Sequence, residues 1–310
     1  MTSEVRRAAE ILRAGGLVAF PTETVYGLGA DASNAAAIAR LYAVKGRPAD
    51  HPVIIHLDSL ERALAWGREV PREARILAER FWPGPLTLIL KRSDKAKDFV
   101  TGGQPSVGIR VPSHPIAQEL LKAFGGGVAA PSANRFGHVS PTTAQHVRDD
   151  LGADVDLVLE GGASEVGIES TIVDVSGGAA VVLRPGRISL QDIEELGVNV
   201  RQRTAASPRH SGGLERHYSP RTPARLVPTH LLDKEIAQRG DKVAVLAFSR
   251  PDERVDFWLR MPREPQGYAQ RLYAALRELD GTRCELILVE APPDTPDWAA
   301  VRDRLARACG

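Results

Sequence analysis

What most constrains this fold is the punctuation of the first two hundred residues: short apolar runs, each too brief for a helix and each stopped by Gly, Pro or a polar cluster. Such runs read as buried strands. They fall at residues 17–20, 53–57, 86–91, 107–111, 128–130, 155–159, 171–175 and 180–183. Helical periodicity fills some of the gaps. Val5, Ala8, Ala9 and Leu12 share a face within 4–14 and end at Gly15-Gly16, and Ile38, Leu41 and Tyr42 do the same within 34–44. Further helices are expected at 116–124 and 142–151, and one opens at Ser189 with Asp192 as a partial capping box. The mixture predicts an α/β chain with polar loops at the edge of a sheet.

Past residue 200 the composition shifts. Arg201, Arg203, Arg209, Arg216 and Arg221 stand among Pro208, Gly212, Gly213, Pro220 and Pro223, with Glu215 the one acid. Residues 201–223 therefore read as a basic Gly/Pro linker between a domain at 1–200 and a smaller one at 224–310, in keeping with a 310-residue chain. In the tail, 242–248 and 284–290 read as strands, and 268–279 and 298–308 as amphipathic helices. No internal repeat or low-complexity tract occurs.

With 40 basic and 39 acidic residues the formal charge is +1, so no global field draws in nucleic acid or an anionic membrane. Cys284 and Cys309 make neither a metal-spaced pair nor a disulfide framework, which fits a reducing compartment. The first residues lack a signal-peptide core and no run approaches membrane-spanning length, so a cytoplasmic protein without membrane association is expected.

Two polar clusters sit between an apolar run and a turn signal: Lys45-Gly46-Arg47 and Ser132-Ala133-Asn134. The first offers two cations, the second a hydroxyl and an amide, a set suited to an anionic ligand such as a nucleotide phosphate. Arg110 lies on a strand between apolar neighbours, so it needs an acidic partner or an anionic ligand. His56 on its strand reads equally as a satisfied structural histidine or a ligand contact. Gly27-Leu28-Gly29-Ala30-Asp31-Ala32 superficially matches a dinucleotide fingerprint, but its glycines come well after the strand's end. There is no Walker string, no His-Glu-x-x-His or Cys-rich metal set, and no nucleophile elbow around Ser132. A nucleotide would be held by scattered side chains, and His217-Tyr218-Ser219-Pro220 could fold over it as a lid.

Pro21 to Gly27, Lys45-Gly46-Arg47-Pro48, Pro83-Gly84-Pro85-Leu86-Thr87, Val107-Gly108-Ile109-Arg110, Pro131-Ser132-Ala133-Asn134, Ser140-Pro141-Thr142, Glu169-Ser170-Thr171-Ile172 and Leu183-Arg184-Pro185-Gly186, in that order, closely resemble the YrdC-like threonylcarbamoyl-AMP synthase family. The linker and tail resemble its two-domain branch. The resemblance implies a YrdC-like twisted mixed sheet with a concave active-site cleft, plus a small Rossmann-like α/β domain. It implies an ATP-dependent nucleotidyltransferase that joins L-threonine, bicarbonate or CO2 and ATP into L-threonylcarbamoyladenylate and pyrophosphate, for the threonylcarbamoyladenosine modification of tRNA.

By the same resemblance Lys45, Arg47, Ser132 and Asn134 match the signature tetrad of the catalytic site. Thr24, His56, Arg110, Ala130 and Ser170 would hold threonine. Arg47, His51, Ser106, Ser132, Ser140, Arg184 and Tyr218 would surround ATP. Mg2+ would enter on the ATP phosphates, with no metal site of the protein's own, and the product would pass to the enzymes that transfer threonylcarbamoyl to tRNA. His51 stands where the family often has asparagine, and Ser211 replaces a frequent linker proline. The rival reading is an RNA-binding module that uses the same basic surface without turnover, against which near-neutral charge and few aromatics speak; no stable nucleic-acid complex is expected.

Overall fold

Side chains that alternate between two covered faces explain why the apolar runs become strands. In the strand Ser106–Arg110, Val107 and Ile109 enter the main core while Ser106, Gly108 and Arg110 take the opposite face, as a two-residue period requires. In Leu86–Lys91, Leu86, Leu88 and Leu90 are core residues, whereas Thr87 and Ile89 face the other way. The computed structural model describes residues 2–204, 207–213, 216–282 and 284–309. It contains two compact units: Met1–Phe136, Pro141–Glu165 and Glu169–Gly213 form the first, and Gly137–Ser140, Val166–Ile168 and Leu214–Gly310 the second.

The first unit is built on a ten-stranded mixed sheet. Its strands are β1 Val18–Phe20, β2 Gly27–Asp31, β3 Ile54–His56, β4 Leu86–Lys91, β5 Ser106–Arg110, β6 Val128–Ala129, β7 Leu157–Val158, β8 Thr171–Asp174, β9 Ala180–Arg184 and β10 Val200–Arg201. They lie in the order β10-β9-β8-β4-β5-β3-β6-β2-β1-β7. Neighbours are parallel in β3–β5 and β4–β8 but antiparallel in β4–β5 and β8–β9. Strand ends and strand starts therefore meet on one edge. The helix Ser3–Arg13 buries Val5, Ala8, Ala9 and Leu12, the face read from sequence. The capping box at Ser189 is complete, with Ser189 and Asp192 satisfying each other's backbone N–H.

The strand β2 is a departure from the sequence reading, which placed no strand between residues 20 and 53. Glycines and an alanine give it little intrinsic β preference. It forms because β1 and β6 pair with it on either side, and because Gly29 has no side chain: a Cβ there would sit 2.9 Å from Val128 Cγ1 and 3.0 Å from Phe20. Helices at Leu60–Leu64, Arg72–Phe81 and Asp98–Thr101 add to the elements read from sequence.

The second unit holds a separate four-stranded sheet. Its strands β11 Ala224–Val227, β12 Val243–Ala247, β13 Phe257–Arg260 and β14 Leu286–Glu290 are all parallel, in the order β11-β14-β12-β13. The helix Leu232–Arg239 connects β11 to β12 and Pro265–Asp280 connects β13 to β14, residues 248–256 join β12 to β13 without a helix, and Ala299–Ala308 follows β14. Its core includes Val227, Ile236, Val243, Val245 and Leu288. The Rossmann-like expectation thus holds, with β11, β13 and the helix Leu232–Arg239 added to the elements read from sequence.

Candidate functional site

Three strands deliver their last residue to one edge of the large sheet: His56 from β3, Arg110 from β5 and Arg184 from β9. His56 and Arg110 are partners in register. Thr87 near the start of β4 and Ser170 just before β8 reach the same edge, because those strands run the other way. All five are buried.

Arg110 makes three hydrogen bonds. Its Nη2 donates to Glu23 Oε1 at 2.6 Å, its Nη1 to Thr24 Oγ1 at 2.8 Å and its Nε to Gly84 O at 3.3 Å. Glu23 also accepts from Ser113 N at 3.1 Å, and the Thr24 and Thr22 hydroxyls lie 2.8 Å apart. The guanidinium is thus aimed by a carboxylate, a hydroxyl and a carbonyl, and these three bonds leave it one more N–H on each of Nη1 and Nη2 with which to meet a second carboxylate. Beside it, His56 is held down to about 3, by burial first and the Arg110 charge second, so its ring is neutral at physiological pH. Its Nδ1 is buried without a hydrogen-bond partner.

A second network starts at Ser170, whose Oγ lies 2.8 Å from Thr87 Oγ1. Arg184 donates through Nη2 to Ser170 Oγ at 3.2 Å, through Nε to Ser170 O at 3.1 Å and through Nη1 to Ser211 O at 3.0 Å. The Ser211 hydroxyl donates to Pro52 O at 3.0 Å, the carbonyl that also accepts from Arg47 Nη2 at 2.7 Å. Arg184 and Arg47 are therefore bridged by one short segment, which Arg209 fastens to Asp50 at 3.1 Å and to Gly102 O at 2.9 Å. Gly186 makes the Arg184 turn possible: a Cβ there would lie 2.4 Å from Thr171 N.

The Lys45-Gly46-Arg47 cluster meets the Ser132-Ala133-Asn134 cluster through the latter's backbone carbonyls. Gly46 caps the helix Ala35–Lys45 in the left-handed conformation at φ 64, which turns Lys45 and Arg47 to different partners. Lys45 Nζ donates to Ser132 O and to Asn134 O, each at 2.5 Å. Ser132 in turn bridges to Gly27 at the start of β2, and Leu28 N donates to Pro131 O at 2.8 Å. Burial, then the Arg47 charge, push Lys45 well below its ordinary range. Asn134 donates its Nδ2 to Arg135 O at 2.8 Å. His51 is half-buried, edge-on to Phe136 at 5.5 Å, and lowered chiefly by burial and then by Arg47.

The sheet face also forms a small cavity of about 20 Å³ over Ile54, Thr87, Ile89, Ser106 and Gly108, covered by His210 and Ser211. Ser106 and Arg110 share this face of β5, one at each end, about 13 Å apart at the rise of an extended strand. Ala130 lies beside β3, its N–H donating to Ile54 O at 3.0 Å. Ser140 and Tyr218 belong to the second unit. There Ser140 is buried, its carbonyl accepting from Arg277 Nε at 3.5 Å, and the Tyr218 ring packs 5.7 Å from Tyr273.

Glu23, Thr87 and Ser211 were not among the site residues taken from sequence. The signal for Glu23 was present, since a buried Arg110 demanded an acid, but nothing along the chain tells which acid answers it.

Residues 10–186 match the family model described as telomere recombination, that of the Sua5, YciO and YrdC proteins, and residues 188–310 match that of the threonylcarbamoyl-AMP synthase C-terminal domain. The chain is 38% identical over 322 residues to a threonylcarbamoyl-AMP synthase of Pyrococcus abyssi, covering 99% of this chain and 94% of the relative. It is 37% identical over 326 residues to that of Bacillus subtilis, covering 99% and 93%. Among solved structures, P. abyssi Sua5 complexed with L-threonine aligns with a TM-score of 0.92 at 36% identity, over 99% of this chain and 94% of that one.

Proposed function

The chain belongs to the two-domain Sua5 family of threonylcarbamoyl-AMP synthases, and from that premise we propose that it joins L-threonine, bicarbonate or CO2 and ATP into L-threonylcarbamoyladenylate with release of pyrophosphate. The observation that supports carrying the reading to particular residues is the aimed Arg110 at one end of β5 and, at the Ser106 end, a cavity lined by Pro52 and Ser211, whose carbonyls accept from Arg47 and Arg184. An amino acid and a triphosphate need such a pair of sites.

Threonine would place its carboxylate on Arg110, with Thr24, Ser170, Ala130 and the neutral His56 around its remaining groups. A neutral imidazole adds no second cation to compete for the carboxylate, and its unpartnered Nδ1 is available to the ligand. Carbamoylation of the unprotonated amine by CO2 releases one proton and gives a carbamate. The carbamate oxygen then attacks the α-phosphorus in line with departing pyrophosphate, forming one P–O bond as another breaks. Lys45, Arg47 and Arg184 offset the charge that develops on the phosphate oxygens, and Ser132, Asn134, Ser106, Ser140, His51 and Tyr218 position the nucleotide. No covalent enzyme intermediate is needed.

Mg2+ would be carried by the phosphates. The donor set here is cationic and hydroxylic, and among the described residues no group of three or more His, Cys, Asp or Glu could hold a metal by itself. When bound, the ion supplies charge neutralisation between phosphate oxygens. The product, a reactive mixed anhydride, would be consumed by enzymes that transfer threonylcarbamoyl to tRNA, a reading that supports a cytoplasmic location. An RNA-binding module without turnover is not favoured.

Incubation with ATP, Mg2+, bicarbonate and labelled threonine is expected to give pyrophosphate and a threonine-dependent adenylate. Absence of both products refutes the reading. Joint replacement of Lys45 and Arg47 by alanine separates it from the RNA alternative, which would lose salt-sensitive RNA affinity instead of turnover.

A further inference from the structure

A buried cation in the second unit has no role in the site described so far. Arg304, in the helix Ala299–Ala308, is 0% exposed, and a guanidinium removed from water needs its charge met. Asp303 Oδ2 accepts from its Nη1 at 2.5 Å, and Asp303 Oδ1 accepts from Arg307 Nη2 at 3.0 Å. The guanidinium carbon then lies 5.5 Å from the centroid of the Tyr218 ring, within the range of a cation–π contact, which is strongest where water is excluded. Tyr273 packs on the same tyrosine at 5.7 Å with a 30° tilt, and His217 meets it edge-on at 4.1 Å.

The backbone of the segment is tied to the same helix. His217 N donates to Arg307 O at 3.2 Å, Ser219 Oγ donates to Arg307 O at 3.4 Å, and Ser219 N donates to Gly137 O at 2.9 Å. Tyr218 itself has φ 61. A bulky residue adopts that left-handed conformation only when its surroundings over-determine it.

We propose that Arg304 is the positioning residue that seats Tyr218, and with it the turn from His217 to Ser219, acting through the tyrosine without meeting the ligand itself. The kinetic half of this inference rests on the reading that Tyr218 meets ATP; the seating itself does not. Lysine cannot take the place, because a compact ammonium lacks the planar face that lies along a ring while still pairing with Asp303.

Hydrogen exchange on the full chain tests the seating in Arg304→Met, Tyr218→Leu and Tyr218→Phe. Amide protection at His217 and Ser219 is expected to fall roughly tenfold or more in the first two, and to persist in Tyr218→Phe, which keeps the ring face. Unchanged protection in both Arg304→Met and Tyr218→Leu overturns the proposal. Should Arg304→Met melt the helix Ala299–Ala308, the contrast between Leu and Phe at 218 decides alone, and equal protection in those two overturns it. In the pyrophosphate assay Arg304→Met is expected to raise the KM for ATP while the KM for threonine stays put; a lower kcat with both KM values unchanged overturns the positioning role. A wild-type protein with no threonine-dependent turnover would sink the assigned reaction and leave the exchange experiment to judge the seating of Tyr218.

Discussion

His56 gives this site an acid sensitivity that can be worked out in advance. Its ring is buried between Phe20, edge-on at 6.1 Å, and the Arg110 guanidinium, and the folded protein holds it at about 3 against an ordinary 6.5. As pH falls below 6.5 the unfolded chain takes up a proton that the folded chain refuses, so the contribution is present above 6.5 and is lost progressively toward about 3. Each pH unit in that window is worth about 1.4 kcal/mol, so lowering pH from 7 to 5 costs about 2 kcal/mol through this one group. Denaturant unfolding of the wild type and of His56→Leu at both pH values isolates the effect, because every other titrating group is common to the two proteins. The wild type is expected to lose about 2 kcal/mol more than the variant between pH 7 and 5. Equal losses would show that His56 is readily protonated in the folded state and that burial beside Arg110 does not control it.

Arg110→Lys is expected to raise the KM for threonine about tenfold or more and leave that for ATP unchanged, since one ammonium cannot span Glu23 and Thr24 and still present a fork to a carboxylate; initial-rate kinetics on both substrates checks it. Gly186→Ala should destabilise the fold by about 1–3 kcal/mol, because the new Cβ meets the Thr171 backbone nitrogen at 2.4 Å, a contact that no side-chain movement relieves. Urea unfolding measures that loss. EDTA is expected to abolish pyrophosphate release yet leave the thermal midpoint of the nucleotide-free protein unmoved; a lowered midpoint would mean that the chain holds a metal of its own.

Much of this molecule was readable from its residues for local reasons. The short apolar runs stopped by turn signals, such as Leu86–Lys91 and Ser106–Arg110, and the helix Ser3–Arg13 with its single apolar face, carry their signal within a few residues. The helix Arg72–Phe81 was not read from sequence, although it buries Ala74, Leu77 and Ala78 at helical spacing. Gly27–Asp31 was not legible, because its extended conformation is imposed by β1 and β6. Of the site, Lys45 and Arg47 were legible through the Gly46 between them, and Arg110 through the cost of burying its charge. Glu23, which lies 87 positions from Arg110, was visible only as a requirement for some acid.

By itself the chain of residues determined which groups carry charge, which runs must be extended or helical, and that an anion-binding chemistry with two kinds of polar cluster was present. Those properties depend on side-chain type and on spacing over a turn or two. Only the tertiary structure decided that His56, Arg110, Arg184, Thr87 and Ser170 share one edge, that Lys45 clasps the carbonyls of Ser132 and Asn134, and that Ser211 bridges Arg47 to Arg184. Such meetings follow from strand order and direction in a mixed sheet, which are set by packing among segments far apart along the chain and leave no periodic trace within any one of them.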